Sequence, residues 1–295
     1  MRDQGERYDR IAEGYRRWWA PVLVRDAVAT LDMVAADVAA GARQILDLGT
    51  GTGTLALAAI ERWPGVRVTG IDASAEMIGM AEAEADRRLS PADRGRFTAR
   101  TAYADALPFG DGKFDLVLSS FVVQLVPSRI RALREAHRVL RPGGRIAYTT
   151  WLAGDAPFAG DRVFDEVLEE LGIRTEEADD GPADRVDGDA DDHARDGRSG
   201  DLRSTRAAAD GLRRAGFEQA RATAGLLEHA FDPAGYVGFL TEFDEEDLFG
   251  GLVERRRVAL EARLLERLTA LPPGDLVLRL PTVTASARRA AARRA

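Results

Sequence analysis

Ile45-Leu-Asp-Leu-Gly-Thr-Gly-Thr-Gly-Thr54 contains the strongest architectural signal in the chain. A short apolar run beginning at Gln44 enters a turn with glycines at alternate positions, and an Ala/Leu-rich helical pattern follows over Leu55–Arg62. Glycine has no Cβ to hold a ligand away from the backbone. The turn falls at the carboxyl edge of a first strand, where open α/β sheets bind nucleotides. Asp47 stands two residues before the first glycine. A dinucleotide fingerprint places glycine at the sixth position, which here is Thr54. A carboxylate beside the turn also suits a cationic group better than a diphosphate. Taken alone, the motif has a lesser second reading as a tight strand-to-helix turn of any α/β protein.

The next apolar run, Val66–Asp72, reads as a second strand ending in Gly70-Ile-Asp-Ala-Ser74. Asp72 follows Gly53 by 19 residues. A carboxylate there can accept both hydroxyls of a ribose, or it can cap the following helix. Ser74 is as well suited to capping. The glycine turn favours the ribose role for Asp72.

The remaining pattern continues the alternation. Strands are expected at Phe97–Asp105, Phe114–Ser120, Arg145–Trp151, Glu218–Phe231 and Leu276–Ala287. Helices are expected at 5–20, Pro21–Ala40, Ala75–Leu89, Pro127–Leu140, Phe158–Leu171 and Ser204–Ala215, with a mostly helical stretch over Asp232–Leu271. This predicts an α/β protein with a mostly parallel seven-stranded sheet and helices on both faces. The expected divisions are an N-terminal helical cap (1–40), a ligand-binding core (41–152), a helix with an acidic unstructured loop (153–201), and a C-terminal part of the core (202–295). That last part carries a helical lid at about 232–271.

Composition narrows the classes. The chain has 295 residues, 45% hydrophobic, enough to bury a core and too apolar for general disorder. It has no cysteine and three histidines, so neither a disulfide framework nor a metal site is expected. The charged start and the absence of a long apolar run predict a cytoplasmic protein with no leader and no membrane span. The net charge of −8 matches that of residues 176–201 alone, which leaves the rest neutral. The neutral body offers no basic face for nucleic acid. Lys113 is the only lysine, so the arginines of Ala287–Ala295 read as compositional bias rather than a nucleic-acid patch.

On these residues the chain resembles the class I S-adenosylmethionine-dependent methyltransferases, in the small-molecule branch that includes the ubiquinone/menaquinone C-methyltransferases. Asp47–Gly53 with its leading strand, GIDAS at 70–74, ADALPF at 104–109, FDLVLSSFVVQLV at 114–126 and RVLRPGGRIAYTTW at 138–151 follow that family in order and spacing. YDRIAEGY at 8–15 resembles its cofactor-covering helix, and LRLPTVTASARR at 278–289 its closing strand. The resemblance implies a Rossmann-like fold and S-adenosylmethionine as cofactor. It implies that Asp47, Gly49, Thr50, Gly51 and Gly53 hold the methionine part, with Asp47 on the ammonium. Asp72 would take the ribose, Ala73 and Met77 the adenine, and Asp105 the adenine amino group, with Ala106 beside it. Ser119 would end strand four under the sulfonium, Phe121 and Gln124 would face the mouth, and Tyr8 and Tyr15 would close over the carboxylate. The two tyrosines also fit a buried helix stripe.

The sequence departs from the family in one place. Gln124-Leu125 stands where histidines often follow strand four, and glutamine cannot act as a general base. His229 is the remaining candidate. His137 reads as a helix-surface residue and His193 as an exposed one. Methyl transfer from a sulfonium needs mainly alignment and exclusion of water, so a missing base is tolerable. Phe231, Tyr236, Phe239 and Phe243, with Trp18 and Trp19, point to an apolar or aromatic small molecule, although helix-core packing explains them as well. Two other readings stand beside the enzyme: a non-catalytic S-adenosylmethionine-binding regulatory protein, and an NAD-dependent oxidoreductase. The oligomeric state is open.

Overall fold

The computed structural model describes residues 3–154, 156–173, 201–272 and 274–291. The acidic stretch expected to be unstructured, with His193, lies outside the described residues except for Asp201.

The strands are β1 (Gln44–Leu48), β2 (Arg67–Asp72), β3 (Phe97–Thr101), β4 (Phe114–Ser120), β5 (Leu140–Trp151), β6 (Glu218–Ala230) and β7 (Val277–Arg288). They form one sheet in the order β3-β2-β1-β4-β5-β7-β6. β1 to β5 are parallel, and β7 runs antiparallel to β5. The chain reverses sheet direction at β1, so the ends of β1 and β4 flank the switch point where such sheets bind ligands. The helices are α1 (Asp3–Gly14), α2 (Ala20–Ala29), α3 (Ala35–Ala39), α4 (Thr54–Arg62), α5 (Ala75–Arg88), α6 (Pro91–Arg94), α7 (Arg129–Val139), α8 (Ala159–Glu170), α9 (Thr205–Arg214), α10 (Pro233–Phe239), α11 (Glu246–Gly251) and α12 (Glu254–Thr269).

The chain divides into two compact units, 1–154 with 201–227 and 280–295, and 155–200 with 228–279. In the first unit, successive residues of β1 point to opposite faces, and both faces are buried. Ile45 joins Val34, Leu57, Ile60, Val68, Phe97, Leu116 and Leu118 in one cluster. Leu46 and Leu48 join Val117, Leu133, Val139, Ile146, Tyr148, Leu212 and Val283 in the other. That explains why β1 and β4 read as apolar runs rather than alternating ones. Asp115 fixes the β1/β4 register: its Oδ2 accepts from the amides of Arg43 (2.6 Å) and Gln44 (2.8 Å), and Arg141 pairs with its Oδ1 at 2.8 Å.

In the second unit α8 and α12 pack together, with Arg263 on Glu170 and Arg267 on Glu166 at their edge. Tyr236 is buried and its hydroxyl donates to Asp161 at 2.6 Å.

Several element boundaries differ from expectation for local reasons. The first helix does not stop before Pro21. It widens into a π-turn over Tyr15–Trp19, closed by the Ala20 amide on the Tyr15 carbonyl, and Pro21 then sits in the first turn of α2, where its missing N–H costs nothing. The second helix breaks at Thr30, whose buried hydroxyl pairs with that of Thr149 at 2.8 Å. β5 begins at Leu140 rather than Arg145, because the pairing with β4 slips between Phe114 and Leu116 and absorbs the Pro-Gly-Gly.

Candidate functional site

A cavity of about 170 Å³ opens in the first unit at the ends of β1, β2 and β4. Its wall begins with the glycine turn. Gly49, Gly51 and Gly53 all have positive φ (68°, 52° and 86°). The Thr50 amide donates to the Ile71 carbonyl at 2.8 Å, tying the turn to β2. A Cβ on Gly49 would fall 2.2 Å from Val122 Cγ2, so the approach of these two segments excludes any side chain there.

Asp72 closes the floor. Its carboxylate accepts from the amides of Gly51 (2.9 Å) and Ser74 (3.0 Å). The cap of α5 is Ser74, whose Oγ accepts from the Met77 amide at 3.0 Å. The capping role is thereby filled, and Asp72 is left to the cavity it lines. Burial raises its pKa, and the amides of Ser74, Gly51 and Ala73 hold that rise back.

Asp47 is 1% exposed and lines a small recess that shares Tyr15, Leu23, Gly49 and Ser120 with the main cavity. Oδ2 accepts from the Thr50 hydroxyl at 2.9 Å, while Oδ1 has no hydrogen-bond partner among the described residues. Burial, with the nearby negative charge of Asp72, pushes its pKa up to about 7 against the lowering effect of the Thr50 hydroxyl and the Ala56 amide. A buried carboxylate oxygen without a partner is costly and marks a place suited to a cationic ligand group.

The covering element is α1 with its π-turn. Tyr8 and Tyr15 both line the cavity and meet edge to face, with centroids 5.9 Å apart. Burial raises the pKa of both, so they stay neutral phenols. α1 is fastened beside Asp72. Gly5 packs so closely that a Cβ would sit 3.0 Å from the Ala73 carbonyl oxygen. One turn further, Asp9 accepts from the Ser74 hydroxyl and from the Glu76 amide (3.2 Å). Asp9 therefore supplies a second cap to α5, from another helix. Asp9→Ala is expected to free the cover: affinity for a ligand of this cavity should fall about tenfold and limited proteolysis should cut first within residues 3–19. Unchanged affinity and cleavage would show that α1 is held elsewhere.

Of the residues singled out by sequence, Tyr8, Tyr15, Gly49, Gly51, Asp72, Ala73, Met77, Asp105, Phe121 and Gln124 line the main cavity, and Asp47 and Thr50 the recess. Gly53 stands behind them at the start of α4. Ser119 and Ala106 line neither. Ser119 is fully buried and donates to the Leu48 carbonyl at 3.0 Å, while its neighbour Ser120, on the opposite side of the strand, faces the cavity. His229 belongs to the second unit, with its ring edge-on to Phe231 at 4.5 Å and its pKa lowered by burial. Phe231, Tyr236, Phe239 and Phe243 are packed in succession in that same unit. Sequence reasoning missed Asp9, Ser120 and Trp151. The last two could have been found from position, since each ends a central strand beside the switch point.

Residues 45–144 match the model of a methyltransferase domain. A ubiquinone/menaquinone biosynthesis C-methyltransferase of Geobacter sp. (strain M21) is 42% identical over 36% of this chain and 44% of its own length. The demethylmenaquinone methyltransferase of Thermus thermophilus is 42% identical over 35% of this chain and 45% of its own. The match thus spans less than half the length of either relative. In overall fold the chain is similar to the crystal structure of the [4+2]-cyclase SpnF, with a TM-score of 0.58 and 21% identity over 98% of this chain and 97% of that one. The glycine turn, Asp72, Asp105 and the end of β4 all lie inside the segment that matches the methyltransferase domain, and the chain resembles the class I S-adenosylmethionine-dependent methyltransferases.

Proposed function

We propose that the protein is an S-adenosylmethionine-dependent methyltransferase acting on a small-molecule acceptor by in-line displacement. One observation carries this reading: Asp47, with a buried oxygen that has no partner among the described residues, and Asp72, bonded to the glycine turn, line a recess and a cavity that share Gly49 of that turn and Tyr15 of the covering element. That donor set fits the cofactor. Asp47 would take its ammonium, Asp72 its ribose hydroxyls, Ala73 and Met77 the flanks of its adenine, and Asp105 the adenine amino group. Thr50 orients Asp47 through its hydroxyl, and Tyr8 and Tyr15 cover the turn. When bound, the cofactor supplies a methyl group on a sulfonium, already activated and leaving a neutral thioether. The protein's share is then to align the acceptor, keep water out and desolvate the nucleophile. No side chain needs to act as general base, and none is assigned, His229 included.

No Arg, Lys or His lines the cavity among the described residues. That supports a small-molecule acceptor over nucleic acid, which requires phosphate partners, and weighs against a dinucleotide, whose diphosphate would meet two carboxylates and no cationic side chain. No helix of the described residues is long and apolar enough to cross a membrane, and a cytoplasmic location is part of the same proposal.

The test is calorimetric titration with S-adenosylmethionine and, separately, with its demethylated product. Saturable one-to-one binding is expected, weakened more than about tenfold, or ~1.4 kcal/mol, by Asp72→Ala. A folded protein that binds neither ligand would overturn the proposal. Turnover with candidate acceptors then separates an enzyme from a binding protein.

A further inference from the structure

Beyond the residues assigned to the cofactor, the cavity has a second wall, made by Trp19, Phe121 and Trp151 with Ser120 and Gln124. Trp151 ends β5, and its ring lies 4.3 Å from that of Phe121 and 6.2 Å from that of Trp19. Phe121 holds φ at +55°, a left-handed conformation that strains a bulky residue. Its amide donates to the Thr149 carbonyl at 2.8 Å, and its carbonyl accepts from Gln124 Nε2 at 2.8 Å. The strained turn directs the ring onto Trp151.

The Gln124 amide is held at both ends. Oε1 accepts from the buried Thr150 hydroxyl and Nε2 donates to the Phe121 carbonyl, which fixes the orientation of the amide. The carbonyl is thereby engaged, and what Gln124 still offers is its second N–H. The Ser120 hydroxyl is buried with no hydrogen-bond partner among the described residues. An aromatic surface with two donors and no cationic side chain matches a flat ring bearing an oxygen with free lone pairs. An ammonium would leave the Gln124 N–H without an acceptor, and a phosphate or carboxylate arrives fully charged with no cation to meet it, whereas a phenol can enter neutral.

We infer that this wall is the acceptor subsite and takes an aromatic phenol or enol as its oxyanion, with the ring on Trp151 and Phe121 and the oxygen held by Gln124 and Ser120. The inference rests on the methyltransferase reading. Donors aimed at an oxyanion in a water-poor site favour its ionised form. The hydroxyl then loses its proton to water, and one of its lone pairs forms the new bond to the methyl carbon as the carbon–sulfur bond breaks toward sulfur.

The test uses the full chain saturated with S-adenosylhomocysteine and 4-nitrophenol as the probe, whose ionised form is read by its visible absorbance. Binding should lower the apparent pKa of the probe. Gln124→Leu should abolish that shift while retaining binding of the probe within about threefold. Trp151→Ala should weaken binding of the probe about tenfold and leave S-adenosylhomocysteine binding unchanged. Benzylammonium and benzoate should bind at least tenfold more weakly than the phenol. The inference is overturned if the cofactor product binds but the phenol does not, if the probe pKa is unchanged or rises, or if either charged probe binds better. Failure of S-adenosylhomocysteine itself to bind would instead remove the methyltransferase reading on which the subsite depends.

Discussion

Gly49→Ala is expected to remove cofactor binding, lowering affinity more than about 100-fold, or ~2.7 kcal/mol, while the protein stays folded. Two independent costs meet at this atom. The backbone has φ of +68°, which L side chains rarely adopt. The added methyl would also fall 2.2 Å from Cγ2, 2.5 Å from Cγ1 and 2.8 Å from Cβ of Val122. A clash with a flexible chain end can be relieved by rotation, but this one involves all three carbons of a β-branched side chain, stiff at χ1. The relief must come from the backbone, either of the glycine turn or of the segment after β4. Both carry the cavity: Gly49 on one side, and Phe121 and Gln124 with Val122 on the other. Calorimetry with S-adenosylmethionine measures the loss. Adding Val122→Gly to the variant removes the clash but not the φ cost, so it should recover part of the affinity and not all. An alanine variant with native affinity would mean that the turn tolerates a shift and that its glycines are not what shapes the cavity.

The difference between what could and could not be read in advance lies in the range of the forces involved. The central strands β1 and β4 were legible because burial on both faces writes itself as apolar runs such as Ile45–Leu48 and Phe114–Leu118, whereas β3 and β6 are largely exposed and carry a weaker signal. The glycine turn was legible because positive φ needs a particular residue type. Asp72 was legible by its place at a strand end, but that Ser74 rather than Asp72 caps the following helix through its side chain was seen only in the structure. Asp9 was not legible. It caps α5 from 65 residues away, and nothing local distinguishes it from any other helix-surface aspartate. Ser119 and Ser120 illustrate the limit of period two: the sequence places both at the strand end, but only the pairing with β1 and β5 decides which one faces ligand. The π-turn was hidden for a similar reason, since a helix that widens by one residue keeps the apolar spacing of one that stops.

Asp47→Asn is expected to make the protein more stable and less able to bind. Burial has raised the Asp47 carboxyl to about 7, well above its ordinary value of 3.8. The folded state therefore holds this proton over a range where the unfolded chain has released it. Stability from this group is accordingly greatest in acid, falls as pH rises from about 4 to about 7, and levels off above that, with a total on the order of a few kcal/mol. Asparagine keeps an oxygen for the Thr50 hydroxyl and never ionises. Its melting temperature should match that of the wild type below about pH 4 and exceed it by several degrees at pH 8. Binding should run the other way. An ammonium seated on Asp47 needs the ionised carboxyl, so wild-type affinity for S-adenosylmethionine should fall by up to about tenfold per pH unit below 7. The variant should bind weakly at every pH, about 30-fold below the wild type at pH 8, and the two affinity curves should converge in acid. Convergence of affinity at one end and of melting temperature at the same end is the test. A uniform loss of affinity with no pH dependence in the wild type would mean that Asp47 shapes the turn without meeting charge. If both crossings appear, the unpartnered oxygen is a destabilisation the fold retains for binding, relieved only when a cation arrives.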